Sequence, residues 1–212
     1  MFITLEGIEG SGKSTQLGHL EAFCKHRGLD VTVTREPGGT AIGEAIRSIL
    51  LNPDNRRMEP LTELLLYEAD RAEHVRKKII PALAEGRIVL CDRFCDATVV
   101  YQGYGRGLDI EMIQRLHRTI LGKIKPDLTV LYDLAPEVGL ERAWNQINHG
   151  GRSGKETRFE HEALAFHNKI RNGYLEIARM EPERFFVVDA GRDEDTVRKT
   201  VIDRLEKLLA ER

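Results

Sequence analysis

Eight residues near the start of the chain restrict its fold more than any others. Gly7-Ile8-Glu9-Gly10-Ser11-Gly12-Lys13-Ser14 reads G-x-x-x-x-G-K-[ST], a phosphate-binding loop. The apolar run Phe2–Leu5 before it predicts a buried strand, and Lys13–His26 after it predicts a helix. Glycines let backbone N–H groups point inward, and a helix N-terminus adds positive potential, so strand, loop and helix together make an anion cradle. The motif assigns Lys13 to the β- and γ-phosphates of a nucleotide and the Ser14 hydroxyl to Mg²⁺. A plain glycine turn between strand and helix would need neither Lys13 nor Ser14.

Apolar runs alternate with amphipathic segments along the rest of the chain. Further strands are predicted at Val31–Thr34, Ile88–Cys91, Leu128–Tyr132 and Phe185–Val188. Further helices are predicted at Ile42–Leu51, Pro60–Ala84, Ile110–Gly122, Pro136–Ile147, Phe159–Met180 and Thr196–Ala210. Repeated strand–helix alternation implies an α/β fold, a three-layer α/β/α arrangement around a five-stranded parallel sheet. Ligands of such sheets bind at the carboxyl ends of the strands. The 212 residues are expected to form one domain, with a lid insert at about 148–158. That stretch, Asn148 to Arg158, is polar, glycine-rich and carries three positive charges. It reads either as a solvated surface loop or as a cationic flap over a phosphate site.

Two strand ends carry candidate chemistry. Asp92 closes the third strand, as a carboxylate near a nucleotide's Mg²⁺ does, and Arg93 beside it supplies a guanidinium suited to gripping phosphate. After the second strand, Thr34-Arg35-Glu36-Pro37-Gly38-Gly39-Thr40 reads as a turn, or as backbone closing over a ligand; spacing does not decide between them. On the third predicted helix Tyr67 and Arg71 are four residues apart and share a face. An aromatic plane beside a donor suits a nucleobase, and a half-buried Tyr beside a surface Arg is the plainer alternative.

Composition removes other classes. With 32 basic and 34 acidic residues the net charge is −2, which argues against a nucleic-acid polymer as partner. No apolar run approaches the roughly 20 residues of a membrane span. The three cysteines, Cys24, Cys91 and Cys95, have neither paired nor zinc-ligand spacing, and read as reduced packing residues of a cytoplasmic protein without a leader. A GTPase-type switch would need DxxG after a strand and NKxD, and neither is present.

With these residues in view, the chain resembles the thymidylate kinases, which make dTDP from dTMP and ATP. The likeness rests on Thr34–Thr40, Asp92-Arg93-Phe94, and Tyr101-Gln102-Gly103-Tyr104-Gly105-Arg106-Gly107. Tyr67–Arg71 with His74, and Thr157-Arg158-Phe159-Glu160, add to it. The resemblance implies ATP held by Gly7, Ile8, Glu9, Gly10, Ser11, Gly12, Lys13, Ser14, Thr15 and Arg152, with Mg²⁺ at Ser14 and Asp92. It implies that Glu9 faces the acceptor's 3′-hydroxyl, and that Glu36 organises the acceptor and metal region. Arg47 and Arg93 would hold the dTMP phosphate, and Tyr67 would stack on thymine. Arg71, Thr98 and Gln102 would bond the base, while Tyr101 crowds the sugar 2′ position. Arg152 and Arg158 would approach the donor phosphates from the lid, making Lys13, Arg93, Arg152, Arg158 and Glu9 the catalytic set. Some members carry an arginine inside the loop; here that position is Gly10, which suggests the lid-arginine type. Phe94 for the commoner Tyr, Ala97 for Ser and Thr157 for Asp are departures that affect affinity and lid ordering rather than reaction type. A homodimer is also implied. A P-loop kinase of another nucleotide or nucleoside, or a non-catalytic relative, are the alternatives.

Overall fold

The computed structural model describes residues 1–150 and 154–211. Five strands, β1 (Phe2–Glu6), β2 (Val31–Arg35), β3 (Ile88–Asp92), β4 (Leu128–Asp133) and β5 (Phe185–Asp189), form one parallel sheet in the order β2-β3-β1-β4-β5. The chain steps from β1 out to β2, returns through β3, and then crosses to the other side. Register sets Leu5 opposite Asp92, so the loop after β1 and the residues after β3 leave the sheet side by side. Open parallel sheets bind ligands in such a crevice.

Alternation along the strands gives the sheet a core on each face. Ile3, Leu5, Ile88 and Leu90 join one buried cluster, while Phe2, Val89 and Cys91 join a second with Val75, Ile79 and Phe94. Helices cover both faces. They are α1 (Lys13–His26), α2 (Ala41–Leu51), α3 (Pro60–His74), α4 (Ile80–Ala84), α5 (Cys95–Thr98), α6 (Ile110–Leu121), α7 (Pro136–Asn148), α8 (Leu164–Met180) and α9 (Glu194–Ala210). The three cysteines are free, and Cys24 and Cys91 are buried. No helix among the described residues is long and apolar enough to cross a membrane.

The predicted strands and most predicted helices match these spans to within a residue or two. Three stretches differ. The helix predicted over Pro60–Ala84 widens into a π turn at Val75–Ile79, where the Ile80 N–H reaches the Val75 carbonyl. Pro81, which follows, has no N–H to give a regular helix, and the wider turn absorbs the mismatch. The helix predicted from Phe159 begins instead at Leu164. Residues 159–163 make turns because the Arg158 N–H is tied to the Leu51 carbonyl and Phe159 is buried. Finally, α5 runs into π-type turns over Val99–Gly105, a stretch for which no helix is predicted. Its glycines disfavour helix locally, and packing supplies the reason: a side chain at Gly105 would strike Phe166 and Ile170 of α8.

Candidate active site

The loop between β1 and α1 is shaped by its neighbours as much as by its own sequence. Gly10 has φ +68°, and a Cβ there would overlap the backbone carbonyl of Gly139 in α7. The loop is therefore pressed main chain to main chain against that helix. Lys13 is buried and folds back over the loop, donating to the Gly7 carbonyl at 3.0 Å and the Ile8 carbonyl at 2.8 Å. Burial, with the Arg93 guanidinium nearby, brings its amine down to about 8. Ser14 and Thr15 are exposed at the start of α1.

One cavity of about 510 Å³ runs from this loop across the carboxyl end of the sheet. Glu9–Thr15 line its near side, Asp92 and Arg93 its floor, and Arg47, Tyr67, Arg71, Thr98, Tyr101 and Gln102 its far side. The structure thus brings the sequence-predicted residues on both sides of the proposed transfer into one space. The Arg35–Pro37 stretch also lines the cavity, favouring the ligand-closing reading of that loop over a plain turn.

Arg93 is the hinge of the arrangement. It takes φ +64°, a left-handed conformation that costs a non-glycine residue about 1–2 kcal/mol. The turn sends its guanidinium back across the P-loop, 2.9 Å from Glu9 Oε1, 3.3 Å from the Tyr174 hydroxyl and over the Tyr101 ring. Tyr101 also donates to Glu9 Oε1 at 2.7 Å. Burial alone would raise the Glu9 carboxyl, but Arg93, with His167 on the other oxygen, holds it well below the ordinary carboxylate range. Beneath it Glu6 behaves oppositely. It accepts from the Phe94 N–H and the Tyr174 hydroxyl, and burial, with Asp96 nearby, pushes it up to about 8.

Arg71 is not at the surface. It is buried on α3 and every arm is occupied: Glu36 Oε2 at 2.9 Å, Glu68, the Phe94 carbonyl, and the Thr98 hydroxyl at 2.9 Å. Glu36 takes a second bond from His74 at 2.8 Å, so Glu36 serves first as an anchor for Arg71 and His74. Tyr67 stands half-buried on the same helix, its ring facing the cavity edge. Arg47 is fixed by the Pro37 carbonyl at 3.0 Å and grips Glu156 through both carboxylate oxygens, the shortest contact being 2.7 Å.

Asp92 Oδ1 is buried and has no hydrogen-bond partner. An uncompensated carboxylate oxygen at the cavity floor, with the Ser14 hydroxyl across the same cavity, suits a cation that takes few protein ligands and shares a phosphate. Among the described residues no group of three or more His, Cys, Asp or Glu forms a metal cage.

The two expected lid arginines differ in what the structure says of them. Arg152 lies outside the described residues. Arg158 does not line the cavity; the expectation of a donor-side arginine is corrected here. It is buried against Glu63, 2.6 Å from Oε2, and bonds the Leu50 carbonyl. A carboxylate as deeply buried as Glu63 draws in a cation, and Arg158 is one of the two that answer it. Thr157 donates to the Gly154 carbonyl at 3.2 Å. Phe94 packs edge-on against Phe2, with the Arg71 guanidinium 5.7 Å from its ring centroid.

Nothing in the residue pattern singled out Glu63, Glu68, Asp70, Glu156 or His117, whose ring lies 3.0 Å from Glu68. Charges on amphipathic helices and in polar loops read as solvated faces, and only the fold turns these inward. Asp70 accepts from the Gly38 N–H at 3.0 Å, and burial, with Glu36 close by, pushes it up to about 6.

The family model described as thymidylate kinase matches residues 5–201. The thymidylate kinase of Desulfosudis oleivorans is 60% identical over 190 residues, 90% of this chain and 89% of that one. That of Desulforapulum autotrophicum is 49% identical over 209 residues, 99% of this chain and 92% of that one. The crystal structure of thymidylate kinase from Ehrlichia chaffeensis superposes with a TM-score of 0.76 at 35% identity, covering 97% of this chain and 98% of that one. With the loop, the sheet order and the cavity all in agreement, this chain belongs to the thymidylate kinase family.

Proposed function

We propose that this protein transfers the γ-phosphoryl group of ATP to dTMP, giving dTDP and ADP, as a step toward dTTP. The observation that carries the reading is the single cavity joining the phosphate-binding loop to Arg47, Arg93 and the wall of Tyr67, Arg71, Thr98 and Gln102.

A nucleotide 5′-phosphate has a second pKa near 6 and is mostly dianionic at neutral pH. The acceptor oxygen therefore needs no strong general base, and catalysis reduces to alignment and charge neutralisation. Lys13 exchanges its bonds to the Gly7 and Ile8 carbonyls for oxygens of the donor. Arg93 and Arg47 hold the acceptor phosphate in line, Arg47 releasing Glu156 as it does so. Glu9, pinned by Arg93 and Tyr101, forms a wall with the tyrosine that faces the sugar. Its fixed carboxylate suits a 3′-hydroxyl, and the bulk of Tyr101 disfavours a 2′-hydroxyl. Ser14 and Asp92 would hold Mg²⁺, which neutralises charge on the donor phosphates when bound. Arg152 supplies the lid cation, and lid closure excludes water.

The protein acts as one domain in the cytoplasm, an assignment supported by its three free cysteines. It pairs with a second copy through α2 and α3, where Ile42, Ile49, Leu61 and Leu65 are exposed. Sedimentation of the wild type at twice the monomer mass, and of Leu65→Glu as monomer, is the expected result; an unchanged mass in the variant points to another surface.

The test of the reaction is ADP formation with Mg-ATP and a panel of monophosphates. The expected result is strong preference for dTMP, weaker turnover of dUMP, and ribonucleotides near background. Turnover of another monophosphate in preference would keep the phosphotransfer and overturn the base pocket.

A further inference from the structure

Glu63 does not itself line the cavity, yet it determines what one wall of the cavity offers. It sits on α3, fully buried. Its Oε1 accepts from Gln102 Nε2 at 2.7 Å and from Arg106 Nε at 3.2 Å, and its Oε2 lies 3.2 Å from Arg106 Nη2 and 2.6 Å from Arg158 Nη2. A carboxylate gripped by two guanidinium groups only accepts. The Gln102 amide has one nitrogen and one oxygen, and the opposite flip would set two acceptor oxygens against each other. The NH₂ therefore faces Glu63, and the carbonyl oxygen is the group that Gln102, a cavity-lining residue, keeps for a ligand.

Beside it the polarity is reversed. Arg71 can only donate, and the Thr98 oxygen already accepts from Arg71, so the hydroxyl hydrogen remains to be given. The wall thus reads acceptor at Gln102 and donor at Thr98, whose hydroxyl Arg71 orients. A pyrimidine with an N3–H next to a 4-oxo group is the complement. Cytosine, with a bare N3 and a 4-amino group, presents the opposite polarity at both points.

We propose that Glu63 is a positioning residue for acceptor specificity: by fixing the Gln102 amide it selects 4-oxo over 4-amino pyrimidine monophosphates. The proposal rests on the reading of this wall as the nucleobase pocket.

The experiment measures kcat/KM for dTMP and dCMP in the wild type, Glu63→Gln, Glu63→Asp and Gln102→Leu. In Glu63→Gln the new amide can donate, so Gln102 can flip. The dTMP:dCMP ratio is expected to fall by roughly 10- to 100-fold, mostly through KM for dTMP. Glu63→Asp keeps an acceptor-only partner and is expected to retain most of the ratio. Gln102→Leu loses the ratio like Glu63→Gln. A folded Glu63→Gln or a Gln102→Leu variant with the wild-type ratio overturns the proposal. Where Glu63→Gln does not fold, the Gln102 side-chain amide is followed by NMR in the wild type. Slowly exchanging NH₂ protons, unchanged on adding dTMP, support the proposal, and protons that shift strongly onto the ligand overturn it. Failure of the wild type to use dTMP at all would instead remove the nucleobase reading beneath it.

Discussion

Arg93 shows how much of the site is decided by a single backbone angle. A residue in the extended region would carry the guanidinium onward along β3, away from the loop. At φ +64° it turns back, and Glu9, Tyr101 and Tyr174 hold it there. Such strain persists only where the surroundings over-determine it. Lys13 is held by the Gly7 and Ile8 carbonyls, partners that donor phosphate oxygens would replace in the proposed reaction. Its removal therefore affects the reaction rather than the fold. Lys13→Ala is expected to lower kcat by about 10²–10³-fold or more, with acceptor affinity within about twofold of wild type. Steady-state kinetics with calorimetric dTMP titration checks this, and near-normal turnover would overturn the mechanism.

At the level of elements, the loop–helix segment after residue 153 has two anchors of opposite kind. Arg158 is buried beneath the acceptor side, and Glu156 reaches over to hold Arg47. In the proposed reaction the acceptor phosphate and Glu156 would compete for one guanidinium. Glu156→Gln weakens the competitor, and the KM for dTMP is expected to fall about three- to fivefold with kcat little changed; an unchanged KM means that Glu156 and the phosphate do not share Arg47. The contrast with the neighbouring helices explains what was legible beforehand. Strands such as Phe2–Glu6 and Ile88–Asp92 announce themselves by continuous apolar runs, because both their faces are buried. The loop at residues 7–14 announces itself because few residue types fit its backbone. The start of α8 did not, since Phe159 belongs to the core by tertiary contact while its pattern continues that of the helix. The Val99–Gly105 turns were hidden for the same reason, their helicity being imposed by α8. The carboxylates around Arg71 and Glu63 were invisible because charge in a sequence does not say which way it faces.

Across the whole molecule, buried carboxylates set the response to pH. Glu6 and Asp70 keep their protons in the folded state to about 8 and about 6, whereas in the unfolded chain they release them near 4.5 and 3.8. Within those windows the folded state binds more protons, so stability falls as pH rises, from about 4.5 to about 8 for Glu6. Glu9 and Glu181 work in the opposite sense, contributing stability above 4.5 that is lost on acidification. The protein is therefore expected to be more stable at pH 6 than at pH 8. Glu6→Gln should flatten that slope in denaturant titrations at the two values, and a slope unaltered by the substitution would assign it elsewhere. One contact described above also bears on how such a chain can change over generations. Because Gly10 meets the main chain of Gly139, no substitution at residue 139 can make room for a side chain in the loop. A loop-borne arginine is thus closed to this lineage by single steps: α7 would have to shift first, and every intermediate would carry a distorted cradle.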